Sequence, residues 1–286
     1  MHVRKIGLFD IINTAIMLGI LIIMLYPMLN VLSVSFSGVT KLGLGLLPQS
    51  FTLKNYQIVF NNKALWIGFS NTLVRVGLGV FSTLIITLLM AYPLSKKALP
   101  FKKVITFFVV FTMFFNGGLI PNYIVVRSLG LIDSRLALIL PRLVDTFALI
   151  VMRNFLMTIP DSLEEAAKID GASYFTILFK IIVPISIPII ATVVLWTAVW
   201  HWNSWFDAMI YIQSQSKQVL QLILRRIVIE GTASAMSLSM DDANTVANPD
   251  MIKATTIIVS TLPIVCSYPF LQKYFVKGII VGSVKE

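Results

Sequence analysis

Long apolar runs separated by short polar stretches set the plan of this chain. Such runs cover roughly residues 11–34, 70–94, 104–125, 136–157, 181–207 and 254–270. A helix rises about 1.5 Å per residue, so about 20 apolar residues cross a hydrocarbon layer of ~30 Å. The pattern therefore predicts an all-α polytopic membrane protein with six spanning helices in one domain. Residues 35–67 and 208–252 read as outer loops, and 159–180 as a polar loop on the opposite side. Val219–Glu230 has apolar positions at helical spacing around Arg225-Arg226, which predicts an interfacial helix, and Ser237–Asn248 reads as a polar connection.

Composition agrees with that class. The chain is 57% hydrophobic and only 13% charged, against roughly 25% charged in soluble domains, and its mean hydropathy is +0.86. A net charge of +10 would suggest nucleic acid in a soluble protein. Here the basic residues flank apolar runs, so anionic lipid headgroups and topology explain them and no nucleic-acid partner is expected. Lys96, Lys97, Lys102 and Lys103 crowd the turn at Pro100 and mark it as cytoplasmic. Arg4, Lys5, Lys273, Lys277 and Lys285 put both termini on that same side, and the family resemblance given below implies the cytoplasmic membrane of a bacterium. The first run is too long for the core of a cleaved leader and reads as a retained span. Cys266 stands alone, so no internal disulfide forms, and His2 and His201 are too few and too far apart for a His-based metal site.

The most polar interruption is Ile159–Pro184, with Asp161, Glu164, Glu165, Lys168 and Asp170 in its first half. Charges at this density leave the hydrocarbon. Asp161 followed three positions later by Glu164 reads as a capping-box start, and Ser162–Ile169 as a short helix. Asp170-Gly171 ends it, because glycine accepts the left-handed conformation of helix C-termini. Ser173 then caps a second helix that re-enters the membrane near Pro184.

Catalytic signatures are lacking. There is no G-x-x-x-x-G-K-[ST] loop for nucleotide, no H-E-x-x-H and no nucleophile elbow. On the fifth run, Thr192, Trp196, Trp200, Asn203 and Asp207 fall within about 40° of Trp196 at 100° per residue. Indole rings alternating with polar groups suit a sugar, whose C–H faces stack on rings while its hydroxyls need hydrogen bonds. An aromatic belt at the outer interface would also place Trp there. Arg142 and Asp145 are spaced to pair, and Arg75 reads as a snorkelling arginine. In the third run, Asn116-Gly117-Gly118 and Pro121 mark either a break deep in the membrane or a helix end at its outer face.

The order Glu165-Ala166-Ala167, Gly171, Ile181-x-Val183-Pro184 resembles the EAA loop of ABC importer permeases (E-A-A-x₃-G-x₉-I-x-L-P), with Val183 in place of the usual Leu. FTLKNYQIVF (51–60), GGLIPNY (117–123), SLGLIDS (128–134) and WNSWFDAMIYI (202–212) are similar to the maltose-type carbohydrate permeases, in their oligosaccharide- and polysaccharide-uptake branch. The resemblance implies a type I importer permease whose loop is a coupling helix, with Glu164, Glu165, Ala166, Ala167, Asp170 and Gly171 meeting a separate ATPase. Glu164 or Glu165 would reach an arginine there. It further implies a second homologous permease, two ATPase subunits carrying ATP and Mg, and an extracytoplasmic solute-binding protein, with no cofactor on this chain. The same machine with a peptide or amino-acid cargo is the alternative, and an ion-coupled secondary transporter is a more distant one.

Overall fold

A computed structural model describes residues 7–39, 46–48, 50–230 and 248–283. Arg4, Lys5, Lys285 and the polar stretch 237–247 lie outside the described residues, as do the side chains of Lys273 and Lys277. The described chain is almost wholly helical, with one isolated bridge between Ser37 and Phe51. It divides into two compact units, Met1–Leu65 with Leu224–Pro263 and Trp66–Ile223 with Ile264–Glu286.

Among the described residues three helices are long and apolar enough to cross a membrane: α1 (Leu8–Ser35), α3 (Lys63–Ser95) and the stretch Pro249–Cys266 of the last helix. Their mean hydropathies are 2.4, 2.1 and 1.3. Two further pairs qualify only together. These are α4 (Lys102–Phe114) with α5 (Leu119–Ser128), bent by 113°, and α8 (Tyr174–Ile185) with α9 (Ile187–Asn203), bent by 84°. The first bend falls on Asn116-Gly117-Gly118, where Gly118 has φ +85°. The second falls at Pro184-Ile185-Ser186-Ile187-Pro188, after a π-helical stretch at Leu178–Ile182. Prolines that remove backbone donors beside a π-bulge are a known cause of such kinks.

In the first unit, α1 ends against the short helix α2 (Lys54–Asn61). Asn55, which is buried, donates to the carbonyls of Ser35 (3.1 Å) and Ser37 (2.9 Å), satisfying backbone that the end of α1 leaves open. The Ser35 hydroxyl meets the Tyr56 hydroxyl at 2.8 Å, and Phe36 packs on Tyr56 at 4.8 Å between ring centres. Thr255, on the last helix, donates to the Ser35 carbonyl (3.2 Å). That helix, α12 (Pro249–Ser283), continues beyond the expected end near residue 270.

The second unit holds the larger core. Leu88, Ala91, Tyr92 and Leu94 of α3 pack with Leu149, Met152 and Leu156 of α6 (Thr146–Leu156) and with Ile177, Leu178 and Ile182 of α8. The expected span 136–157 is helical only as α6. Residues Arg135–Leu138 and Leu140–Arg142 form 3-10 turns around Pro141, and Asp145 caps α6 by accepting from the Ala148 amide (3.1 Å). Apolar content predicted a helix there, but the proline and the cap decide where one begins.

The segment expected as an interfacial helix packs against the rest of the chain. Val219, Leu220, Leu222, Leu224 and Ile227 are all buried. It forms α11 (Leu220–Arg225) followed by a π turn, Arg226–Glu230. Gly68 sits so close to Leu220 and Ile223 that a Cβ would collide with them, and Leu222 joins Leu138, Ala208 and Ile212 in a second small core.

Candidate coupling loop and pathway groove

The polar interruption folds as the sequence suggests in outline. α7 (Ser162–Ile169) is one short helix. It ends with Gly171 at φ +78°, its amide donating to the Lys168 carbonyl (3.0 Å), while Ala172 reaches Ala167 (2.9 Å). The Ser173 hydroxyl accepts from the Thr176 amide (3.3 Å) and caps α8. The expected capping box is absent: Asp161 takes helical backbone angles and makes no side-chain cap. Its carboxylate instead faces Lys97 at 3.6 Å, both side chains open to solvent.

The two glutamates part company. Glu164 is 4% exposed. It is ion-paired with Lys96, just past the end of α3, and accepts from the Tyr92 hydroxyl (3.2 Å). Lys96 also lies over the Tyr92 ring (4.8 Å). Ala167, one turn on from Glu164, is buried in the core. Glu165, Ala166 and Asp170 are exposed, and Ile169 is 87% exposed. The helix thus presents a small-residue face with one carboxylate outward and spends its other carboxylate within the chain. A cavity of about 520 Å³ lies beside it, lined by Tyr92, Lys96, Leu99, Glu165, Tyr174 and Phe175 among others.

The expected stripe is only partly assembled. Trp196, Trp200 and Asn203 line one open groove with Leu195, Val199 and Ser204. Thr192, a turn earlier, bonds to the Pro188 carbonyl (3.0 Å), and Asn203 to that of Val199 (2.9 Å). Asp207 is not on the same helix, because α9 stops at Asn203 and a new helix, α10 (Phe206–Tyr211), begins after extended backbone at Ser204. The indole faces are partly taken: Phe147 packs on Trp196 (5.3 Å), and the Arg142 guanidinium lies 4.1 Å above Trp200. Arg142 is about half exposed, and its carboxylate neighbour Asp145 is 3.6 Å away.

Arg75 does not snorkel. Its side chain is 2% exposed and forms a two-pronged ion pair with Asp207. It also donates to the Ser204 carbonyl and to His201 Nδ1, both at 3.3 Å. An accepting Nδ1 places the proton of a neutral imidazole on Nε2. Gly79 makes room for that ring, since a Cβ there would strike it. An arginine inside an apolar run is itself a signal that a carboxylate lies nearby, though nothing in the sequence singles out Asp207 over Asp145.

A third cluster ties down the segment after α10. Asp133 accepts from the Gln213 (3.0 Å) and Ser214 (2.8 Å) amides, from the Ser214 hydroxyl and from Lys217 Nζ (2.8 Å). These donors, Lys217 foremost, hold its carboxyl well below the usual range. Asn71 donates to the carbonyls of Ser216 (2.8 Å) and Gln218 (3.0 Å) and accepts from Arg135 (2.9 Å). Among the described residues no three His, Cys, Asp or Glu side chains gather where they could hold a metal ion.

Apolar helices with apolar outward faces, interrupted by the polar helix α7, suit a protein that crosses a membrane. The chain belongs to the family described as binding-protein-dependent transport system inner membrane component, which matches residues 79–281. It is 39% identical over 286 residues to the polygalacturonan/rhamnogalacturonan transport system permease protein YtcP of Bacillus subtilis (strain 168), covering 98% of this chain and 99% of the relative. Protein LplC of the same organism is 38% identical, over 100% of this chain and 98% of that one. A solved bacterial ABC transporter that imports the acidic polysaccharide alginate contains a chain that matches with TM-score 0.87 and 31% identity, covering 96% of this chain and 99% of that one. The fold is that of a type I importer permease. The protein is a permease, an inner membrane component of a binding-protein-dependent transport system.

Proposed function

We propose that this chain forms one half of a pathway for acidic oligosaccharides and is driven by a separate cytoplasmic ATPase that grips α7. In this reading the run 136–157 spans through its 3-10 turns together with α6, the other five runs span as well, both termini lie inside, and a second permease completes the pathway. A solute-binding protein delivers cargo from outside, while ATP and Mg reside on two ATPase subunits. The observation that carries the coupling role is the split of α7 into a buried Glu164/Ala167 side and an exposed Glu165/Ala166/Ile169 side. Small residues allow close backbone approach, and Glu165 is free to make a charge-assisted pair with a partner arginine.

For the cargo, the support is Arg142. Its guanidinium is oriented by the Trp200 face beside the groove and is about half exposed, so it can offer donors to a carboxylate. The relatives named for polygalacturonan/rhamnogalacturonan and for alginate handle sugars of that charge. Trp196, Trp200 and Asn203 would meet the sugar rings and hydroxyls, with Thr192 below them and Asp207 acting through Arg75. Competitive uptake tests the cargo, using labelled trigalacturonate against a neutral galactose trisaccharide in cells with or without this permease. Permease-dependent uptake of the acidic trisaccharide alone, reduced about tenfold by Arg142→Gln, is expected. Equal uptake of both sugars, unchanged by Arg142→Gln, would remove the acidic assignment and leave the importer.

A further inference from the structure

The buried carboxylate of α7 is unexplained by docking. Glu164 is shut away from any partner, 68 residues in sequence from the lysine it pairs with and 72 from the tyrosine that donates to it. Both of those groups belong to the inner end of α3. The neighbouring backbone is secured as well: Lys102 Nζ donates to the carbonyls of Ser95 (3.2 Å) and Lys96 (3.0 Å), and Arg153 Nε to that of Leu94 (3.1 Å). These cations sit where the C-terminal carbonyls of α3 would otherwise lack partners. The inner end of α3 is therefore fixed, and Glu164 is fixed to it.

From there the chain runs as one helix, with Pro93 near its end, to Arg75, about 21 residues or roughly 30 Å away at helical rise. At that point Arg75 holds Asp207 and the Ser204 carbonyl, the two sides of the break between α9 and α10. α3 is thus tied by two largely buried ion pairs, one just past its C-terminus to α7 and one at Arg75, well inside the helix, to the interruption beside the groove.

We propose that Glu164, Lys96 and Tyr92 are positioning residues that join α7 to α3, making α3 a second drive rod beside the covalent route through α8. A displacement of α7 then reaches the α9–α10 break through Arg75 and Asp207, as well as through the bent α8–α9 pair. Glu165 holds the ATPase, and Glu164 delivers what the ATPase does. This rests on the reading of α7 as the helix gripped by that subunit. The two halves of the argument are separable, because gripping and delivering have different readouts.

The experiment uses the complete importer, with both permeases, ATPase and binding protein, in proteoliposomes loaded against labelled trigalacturonate. ATP hydrolysis, sugar taken up and ATPase retained on the purified permeases are measured for wild type, Glu164→Gln, Glu165→Gln, Tyr92→Phe and the exchange Lys96→Glu with Glu164→Lys. Expected for Glu164→Gln is full retention of the ATPase with sugar per ATP reduced about tenfold. The exchange should restore that ratio to within about twofold of wild type. Tyr92→Phe, which removes one hydroxyl and leaves the ion pair in place, should lower it about threefold. Glu165→Gln should instead lose the ATPase. Loss of ATPase from Glu164→Gln would overturn the proposal by placing Glu164 on the docking surface. Wild-type sugar per ATP in both Glu164→Gln and Tyr92→Phe would overturn it by making the joint idle. A wild-type complex that retains no ATPase at all would defeat the underlying coupling reading instead.

Discussion

Arg75 and Asp207 lie 132 residues apart in sequence and meet as a two-pronged ion pair, with the arginine almost wholly buried. A buried charge stripped of its partner costs far more than the intact pair contributes. Asp207→Ala should therefore lower stability by about 3–5 kcal/mol, read as a fall in the unfolding midpoint of the purified protein in detergent. The double change Arg75→Leu with Asp207→Leu should recover most of that loss, because it removes both charges together. Equal damage from the single and double variants would mean that the pair is not what holds Ser204–Phe206 in place.

Two glycines separate backbone strain from crowding. At Gly171 a Cβ would touch nothing, so Gly171→Ala pays only for its left-handed φ of +78°, about 1–2 kcal/mol. That should fray α7 locally and weaken ATPase-coupled uptake while the membrane part keeps its unfolding midpoint. At Gly79 the φ is ordinary but the His201 ring fills the space. Gly79→Val should displace that ring from Arg75 and lower the midpoint of the whole second unit. Differential scanning fluorimetry beside uptake distinguishes the two.

The Asp133 cluster sets a pH dependence on the acid side. Its folded-state carboxyl is held well below the ordinary unfolded value near 4. The stabilisation is thus complete above that value and is lost as pH falls below it towards the folded-state pKa. Limited proteolysis of the 213–217 segment should be slow at neutral pH and accelerate as pH falls below about 4. Asp133→Asn should be cut faster at neutral pH and show a flatter acid response. An unchanged pH profile in that variant would put the sensitivity elsewhere.

What the sequence disclosed was chiefly local. Gly171 and Ser173 announce a helix end and a helix start by their own chemistry, and the structure puts them at those points. The same local reasoning failed at Asp161, whose carboxylate turns to Lys97 instead of the helix amides. Apolar content misled where a few residues overrule it, as at Pro141 and Asp145, which shorten one expected span to α6, and at Ser204, which ends α9 before Asp207. Hidden altogether were the pairs made across the fold. Nothing near Glu164 in sequence says that Lys96 will claim it while Glu165 stays exposed, because both glutamates satisfy the same pattern. Arg75 came closest to being legible, since an arginine amid Leu, Val and Gly needs a partner.

Accessibility of one side chain tests the central claim most directly. With Cys266→Ser removing the native thiol, Glu165→Cys is challenged with a membrane-impermeant maleimide, from outside on intact cells and from inside on inverted vesicles, with and without the ATPase bound. The account predicts no labelling from outside, rapid labelling from inside, and at least tenfold protection when the ATPase is present. Labelling of intact cells, or equal reactivity from inside whether or not the ATPase is bound, would contradict it.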